Sequence, residues 1–349
     1  MGGEGLRAIG QQEIRDIIVG ATFLGAGGGG SPRTGSLLAE KIESVTLVDL
    51  DEVPNDADVC VVAGMGSPVV LRKIGWMDEQ IVALERLEEV TGRKFDFLVP
   101  VEIGAFNSVT PLQAGAVKRR MVVDADGAGR AVPELQMTTF ELFGISASPI
   151  ALADRNGNSA ILYVQNTPTG ERIARAVTTE FGMQAGIACY AMKGKQLKTA
   201  AIGSTLSLAE KVGRAIRNAR NSGENIVEIV AEVVGGVVIE VGTVVKKTEE
   251  VKNGFDYGRV YVGETVVDYK NENMIAWKKG KPVVMVPDLI CWITTSGQPL
   301  TNADLDEGME VAIIGIKADK KWSEKNGFEL FRSVLRSIGY EGEYQPLRD

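Results

Sequence analysis

LGAGGGGSP, residues 24–32, is the stretch on which the reading of the fold turns. Glycine stands at 25 and again at 27–30, and each ordered glycine gives up more backbone freedom than another residue would. The spacing Gly25-x-Gly27-x-x-Gly30 satisfies G-x-G-x-x-G, and Asp49 follows 19 residues after Gly30 at the end of an apolar run. A dinucleotide-binding fold uses such a loop after a strand, with the acid on a ribose hydroxyl. The segment before it, QQEIRDIIVGATFL (11–24), instead spaces Ile14, Ile17, Ile18 and Thr22 as a helix does. A nucleotide-dependent oxidoreductase therefore stays a rival reading, decided by whether 11–24 is strand or helix. No G-x-x-x-x-G-K-[ST] occurs, so a Walker loop is excluded. Two uses of the glycines remain: a steric turn between helices, or the floor of a small-molecule site where a ligand reaches backbone N–H groups.

Working outward, SPRTGSLLAEKIESV (31–45) predicts a second helix through Leu37, Leu38 and Ile42. VTLVDL (45–50) and ADVCVVAGMG (57–66) predict buried parallel strands, β-branched and closed by glycine. DEQIVALERLEEVTGRK is an amphipathic helix ending at Gly92, FDFLVPVEIG (95–104) a third strand, and MVVDADGAGRAVPEL a fourth that opens into a loop at Asp124. This alternation predicts a layered α/β domain over residues 1–166, with the glycine loop and the DADGAGR loop at strand ends. QNTPTGE (165–171) marks the boundary with a second domain, 167–349, helical to about 225 and β-rich thereafter. In its helical part ERIARAVTTEFGM reads as helix, and GSTLSLAEKVGRAIRNARNSG carries a capping box, Ser207-x-x-Glu210. From about 235 short Val-rich strands alternate with glycines.

Composition narrows the chemistry. The chain of 349 residues has 44% hydrophobic and 24% charged residues and a net charge of −8. That charge argues against nucleic acid or an anionic membrane as partner, and KRR (118–120) and KGKQLK (193–198) read as solvated faces. No apolar run reaches a membrane span, and MGGEGLR carries no secretory or myristoylation pattern, so the expected location is cytoplasmic. Three cysteines, Cys60, Cys189 and Cys291, fall in no C-x-x-C pair, against a disulfide framework or thiolate zinc cluster. Histidine is absent. That removes Ser-His-Asp and Cys-His triads, His-ligated zinc and imidazole bases, and leaves acid–base work mainly to carboxylates.

Several polar clusters qualify as sites. Asp124 and Asp126, with Arg130 and Glu134, place carboxylates and a guanidinium on a strand-end loop; an i, i+2 carboxylate pair can chelate a hard cation or share a proton. An EF-hand is excluded because Leu135 stands where its Glu belongs. Glu102 ends an apolar strand and would have a raised pKa if buried, with Asn107 close behind. Asn271, Asp288 and Cys291 lie beside apolar runs, where turn or core roles are the ordinary explanation. Gly203-Ser204-Thr205 opens a helix whose N–H groups could meet an anion, or be an ordinary cap.

LGAGGGGSP, PVEIGAFNSVTPL, DADGAGRAVPELQM, GSTLSLAEKVGRAI, NENMIAW and PDLICWI, in this order, resemble the family once described as domain of unknown function 917, now called S-methyl thiohydantoin desulfurase-like. The resemblance runs from about Glu13 to Tyr344. It implies an N-terminal α/β part and a C-terminal part with a β-rich swivelling-type module. It also implies hydrolysis of a five-membered cyclic imide derivative, and association with hydantoinase/oxoprolinase-type proteins. On that basis Asp124, Asp126, Glu102 and Glu134 are expected to supply acid–base groups. Gly27, Gly28, Gly29, Gly30, Asn107, Arg130, Asn271 and Asp288 are expected to hold the substrate, Arg130 by a bidentate carboxylate contact. A single divalent metal, if one is used, is expected on Asp124 and Asp126 with Cys291. A homo-oligomer is expected, and the alternative to an enzyme is a non-catalytic partner subunit.

Overall fold

The computed structural model describes residues 5–66, 75–252 and 254–348. The MGGE that opens the sequence, read above for a leader, lies outside the described residues. The chain builds two sheets. The first has nine strands: β1 (Leu6–Gly10), β2 (Ser44–Asp49), β3 (Asp58–Gly66), β4 (Phe97–Val99), β5 (Met121–Asp126), β6 (Ile150–Ala153), β7 (Ser159–Leu162), β8 (Gln184–Lys193) and β9 (Ile202–Gly203). Its order is β1-β2-β5-β4-β3-β8-β6-β7, with β9 on β5. Contacts β2–β5, β5–β4 and β4–β3 are parallel, and the flanking ones are antiparallel. The second sheet is wholly antiparallel, from β10 (Val237–Lys252), β11 (Phe255–Val262), β12 (Thr265–Lys270), β13 (Glu272–Lys278), β14 (Lys281–Met285), β15 (Leu289–Thr294), β16 (Pro299–Leu300) and β17 (Glu310–Ile316).

The buried parallel strands form where the sequence predicts them, because Val and Ile fill a pleated surface covered on both faces. Helix α1 (Gln11–Leu24) buries Ile14, Ile17 and Ile18, so the glycine loop follows a helix and the dinucleotide fingerprint lacks its strand. Helix α2 (Pro32–Ala39) opens directly after the loop, and α3 (Glu79–Thr91) ends at a left-handed Gly92. Helices α4 (Val109–Lys118), α5 (Thr167–Glu180), α6 (Thr205–Ser222) and α7 (Ile226–Val234) complete the long helices. A Cβ at Gly20 would strike the backbone of Ala209, and one at Gly213 that of Asp16. These small residues let α1 and α6 touch backbone to backbone, tying the start of the chain to its second half.

Three expectations change. The third strand spans only 97–99, and Glu102 stands beyond it in a loop. Strand β8, from past residue 166, inserts between β3 and β6. Ser207 is not an N-cap: α6 starts at Thr205, and the Ser207 N–H donates to Asp124 Oδ1 at 3.0 Å. No described helix is long and apolar enough to cross a membrane.

Candidate functional site

A cavity of about 350 Å³ is lined from both sheets, by Gly27–Gly30, Glu102 and Asn107 on one side and by β11–β13 on the other. Its floor is the glycine loop. Gly29 and Gly30 have φ of +76° and +84°, the left-handed region that side chains avoid. A Cβ at Gly30 would meet Phe106 Cβ at 2.6 Å, and one at Gly28 would fall on the Glu272 carboxyl. The loop is sterically constrained, and it lines the cavity.

Two carboxyls lie deep in this space. Glu102 Oε1 accepts from Asn107 Nδ2 at 2.7 Å and Oε2 from the Val132 N–H at 2.7 Å, while Asn107 Oδ1 accepts from the Gly64 N–H at 3.0 Å. Glu272, at the start of β13, is 5% exposed, and its Oε2 has no hydrogen-bond partner among the described residues. Burial raises the proton affinity of both, and the Glu102 charge raises that of Glu272 further. Donors at both Glu102 oxygens favour its ionised form. Glu272 has the Gly29 N–H nearby and one unpartnered oxygen, so of the two it favours the proton more. The cavity is thus lined by two carboxyls of unequal proton affinity.

The rim is built of ion pairs. Glu134 pairs with Lys270 and accepts from Gln136 Nε2 at 2.6 Å. Arg175 on α5 pairs with Glu171 and donates to Pro133 O at 2.8 Å. The Phe255 ring is 4.0 Å from the Arg175 guanidinium and 3.8 Å from Lys270 Nζ; the contact with Arg175 on α5 ties the β10–β11 hairpin to that helix, and the one with Lys270 lies within the second sheet. Asn271, at φ +54°, lines the cavity while its Oδ1 accepts from the Asp256 N–H at 2.8 Å.

Other predicted residues are elsewhere. Asp124 and Asp126 do not line the cavity. The Asp126 carboxylate accepts from the N–H groups of Ala128 at 3.0 Å and Gly129 at 2.8 Å, and burial pushes its pKa up to about 8. Asp124 meets the N-terminus of α6, so the anion at Gly203-Ser204-Thr205 is the protein's own carboxylate. Arg130, fully buried, makes no carboxylate contact: it donates to Asp288 O and Asn273 O, both at 2.6 Å, and to Ala131 O at 3.0 Å. It is a strut between the sheets. The Asp288 carboxylate accepts from Ala318 N, Tyr344 OH and Leu347 N, each at 2.8 Å, fastening the C-terminal segment. Cys291 sits in the apolar core on β15, where burial pushes its thiol up to about 12. Among the described residues no three Cys, Asp or Glu side chains gather as ligands for a cation, and Asp124, Asp126 and Cys291 are not brought together.

Of Asn271-Glu272-Asn273, the site residues expected from the sequence include Asn271 and not Glu272. The available signal was the one that marked Glu102, a carboxyl beside an apolar run, here ENMIAW. Glu171 and Arg175 looked like the polar face of an amphipathic helix.

Fold and site together define a two-sheet α/β protein with a carboxyl pair in the cavity between its sheets. Residues 12–164 match the family model for the S-Me-THD-like N-terminal domain and 165–347 that for the S-Me-THD-like C-terminal domain. The chain belongs to this S-methyl thiohydantoin desulfurase-like family. A crystal structure of a protein from Chromobacterium violaceum is similar over 98% of this chain and 100% of its own, at 28% identity and a TM-score of 0.86. No curated protein matches the chain.

Proposed function

We propose that this protein hydrolyses a small five-membered cyclic imide derivative of the S-methyl thiohydantoin type, and that Glu102 and Glu272 are its acid–base pair. The observation that carries the reading is the unequal environment of two buried carboxyls facing one cavity. Carboxyls whose surroundings push their protonation apart mark the base and the acid of a site. The sulfur-bearing ring carbon of such a substrate is flanked by an acceptor nitrogen and an N–H. Protonated Glu272 donates to the acceptor nitrogen and makes that carbon more electrophilic. Glu102 takes a proton from attacking water as the new C–O bond forms and the ring nitrogen takes the Glu272 proton, giving a tetrahedral carbon. The C–S bond then breaks as the added hydroxyl returns its proton to Glu272 and becomes the ring carbonyl, and the leaving thiolate takes the proton held by Glu102. Asn107, itself fixed by the Gly64 N–H, holds Glu102 in place. A general base contributes about 10²–10⁴-fold to rate.

The test is thiol release from 2-methylthio-imidazol-4-one. Wild-type protein should release methanethiol and form hydantoin, and Glu102→Gln should be slower by about 10²-fold or more. Equal rates in the two would remove Glu102 from the mechanism. No turnover alone, with turnover restored by a hydantoinase/oxoprolinase-type protein, would replace the enzyme reading by that of a partner subunit.

A further inference from the structure

The cavity wall carries more hydrogen-bond acceptors than a methylthio ring can use. Six carboxyl groups line it, Glu102, Glu134, Glu171, Glu249, Asp256 and Glu272, against two cations, Arg175 and Lys247. Both cations are engaged. Arg175 pairs with Glu171, and Lys247 Nζ is 3.3 Å from Glu249 and donates to Asn302 O at 2.7 Å and Leu305 O at 3.2 Å. Glu134 is paired with Lys270. Glu102, Asp256 and Glu272 are left facing the cavity without an ion-pair partner among the described residues. One Glu272 oxygen, buried in the wall, has no hydrogen bond among the described residues.

An unpartnered buried carboxyl oxygen is costly unless a ligand completes it. Protonated Glu272 donates its O–H to the ring nitrogen of either ligand, while its other oxygen and the carboxyls of Glu102 and Asp256 accept N–H groups, which a methylthio group lacks and an amino group at the same ring carbon supplies. A ligand with an added negative charge would meet like charge at close range, which is unfavourable. We propose that the cavity also takes cyclic amidines of the 2-amino-imidazol-4-one class and hydrolyses the exocyclic C–N bond, releasing ammonia. The step rests on the reaction proposed above and balances in the same way. Water adds to the amidine carbon and gives a proton to Glu102 while the ring nitrogen takes the Glu272 proton, giving a tetrahedral carbon. The exocyclic C–N bond then breaks as the amino group takes the proton held by Glu102 and leaves as ammonia, and the added hydroxyl returns its proton to Glu272 and becomes the ring carbonyl. Both carboxyls end as they began, without any co-reactant.

The probe is 2-amino-imidazol-4-one itself, titrated into the full-length protein by calorimetry and assayed for ammonia release, with thiol release measured in parallel. Saturable binding, ammonia release by the wild type, its loss in Glu102→Gln, and binding weakened about tenfold or more in Glu272→Gln and in the rim variant Asp256→Asn are expected. Thiol release without ammonia release, or binding unchanged by Glu272→Gln, overturns the proposal and leaves the desulfurising reading intact. Ammonia release without thiol release does the reverse. The wild-type assays decide the matter even where a variant fails to fold.

Discussion

Replacing Arg130 by Met removes a buried guanidinium but keeps a side chain of similar length. Three hydrogen bonds disappear, to Asp288 O and Asn273 O across the sheet interface and to Ala131 O locally. A hydrogen bond to a charged group is worth about 1.5–3 kcal/mol, and an acceptor stranded in the interior costs about 1–3 kcal/mol. Against this stands the relief of no longer burying the cation; burial already pushes its pKa down to about 10. Balancing these terms, Arg130→Met should destabilise the protein by about 3–5 kcal/mol. Urea unfolding followed by tryptophan fluorescence would read the loss, as Trp292 and Trp322 are both buried. Arg130→Lys, which keeps the charge and loses the fork, should fall between wild type and Met. A change below about 1 kcal/mol together with a large rise in KM would refute the strut and return Arg130 to the substrate-binding role its position in DADGAGR suggested.

Gly28→Ala would press a methyl group onto the Glu272 carboxyl, so thiol release should fall about tenfold or more while the urea midpoint moves little. Asn107→Ala takes a donor from Glu102, and the acidic limb of the pH–rate profile should move upward by about one unit. Stability should decline with rising pH. Asp124, Asp126, Glu102 and Glu272 all have folded pKa values raised above their ordinary values, Asp126 to about 8. Between the ordinary carboxyl range and about pH 8 the folded chain therefore holds protons that the unfolded chain has lost, and stability drains away across that window. Urea midpoints at about pH 5 and about pH 8 should differ accordingly, and the difference should shrink in Glu272→Gln.

Much of the first sheet was legible because its signals are local. The helical spacing of Ile14, Ile17 and Ile18 settled the context of the glycine loop, and the β-branched runs at 45–50 and 57–66 fixed two parallel strands. The insertion of β8 between β3 and β6 was not legible, since strand neighbours are chosen by distant residues. In the site, Glu102, Asn107 and the glycines could be found from local context. Glu272 could not be paired with Glu102, because 170 residues separate them and only the meeting of the two sheets makes them neighbours. Arg130, Asp124 and Asp288 lie outside the cavity lining, and the sequence could not say so for a shared reason. A polar residue beside an apolar run reads the same whether it meets a ligand or satisfies buried backbone groups, and all three do the latter.

In the proposed reaction the cavity carboxyls, and not those of the DADGAGR loop, perform the chemistry. The most direct measurement is kcat/KM for thiol release in Glu102→Gln and Asp124→Asn, side by side with wild type and corrected for folded fraction. Glu102→Gln should lose about 10²–10⁴-fold, and Asp124→Asn should stay within a few-fold of wild type. The opposite order, with Asp124→Asn inactive and Glu102→Gln nearly normal, would contradict this assignment.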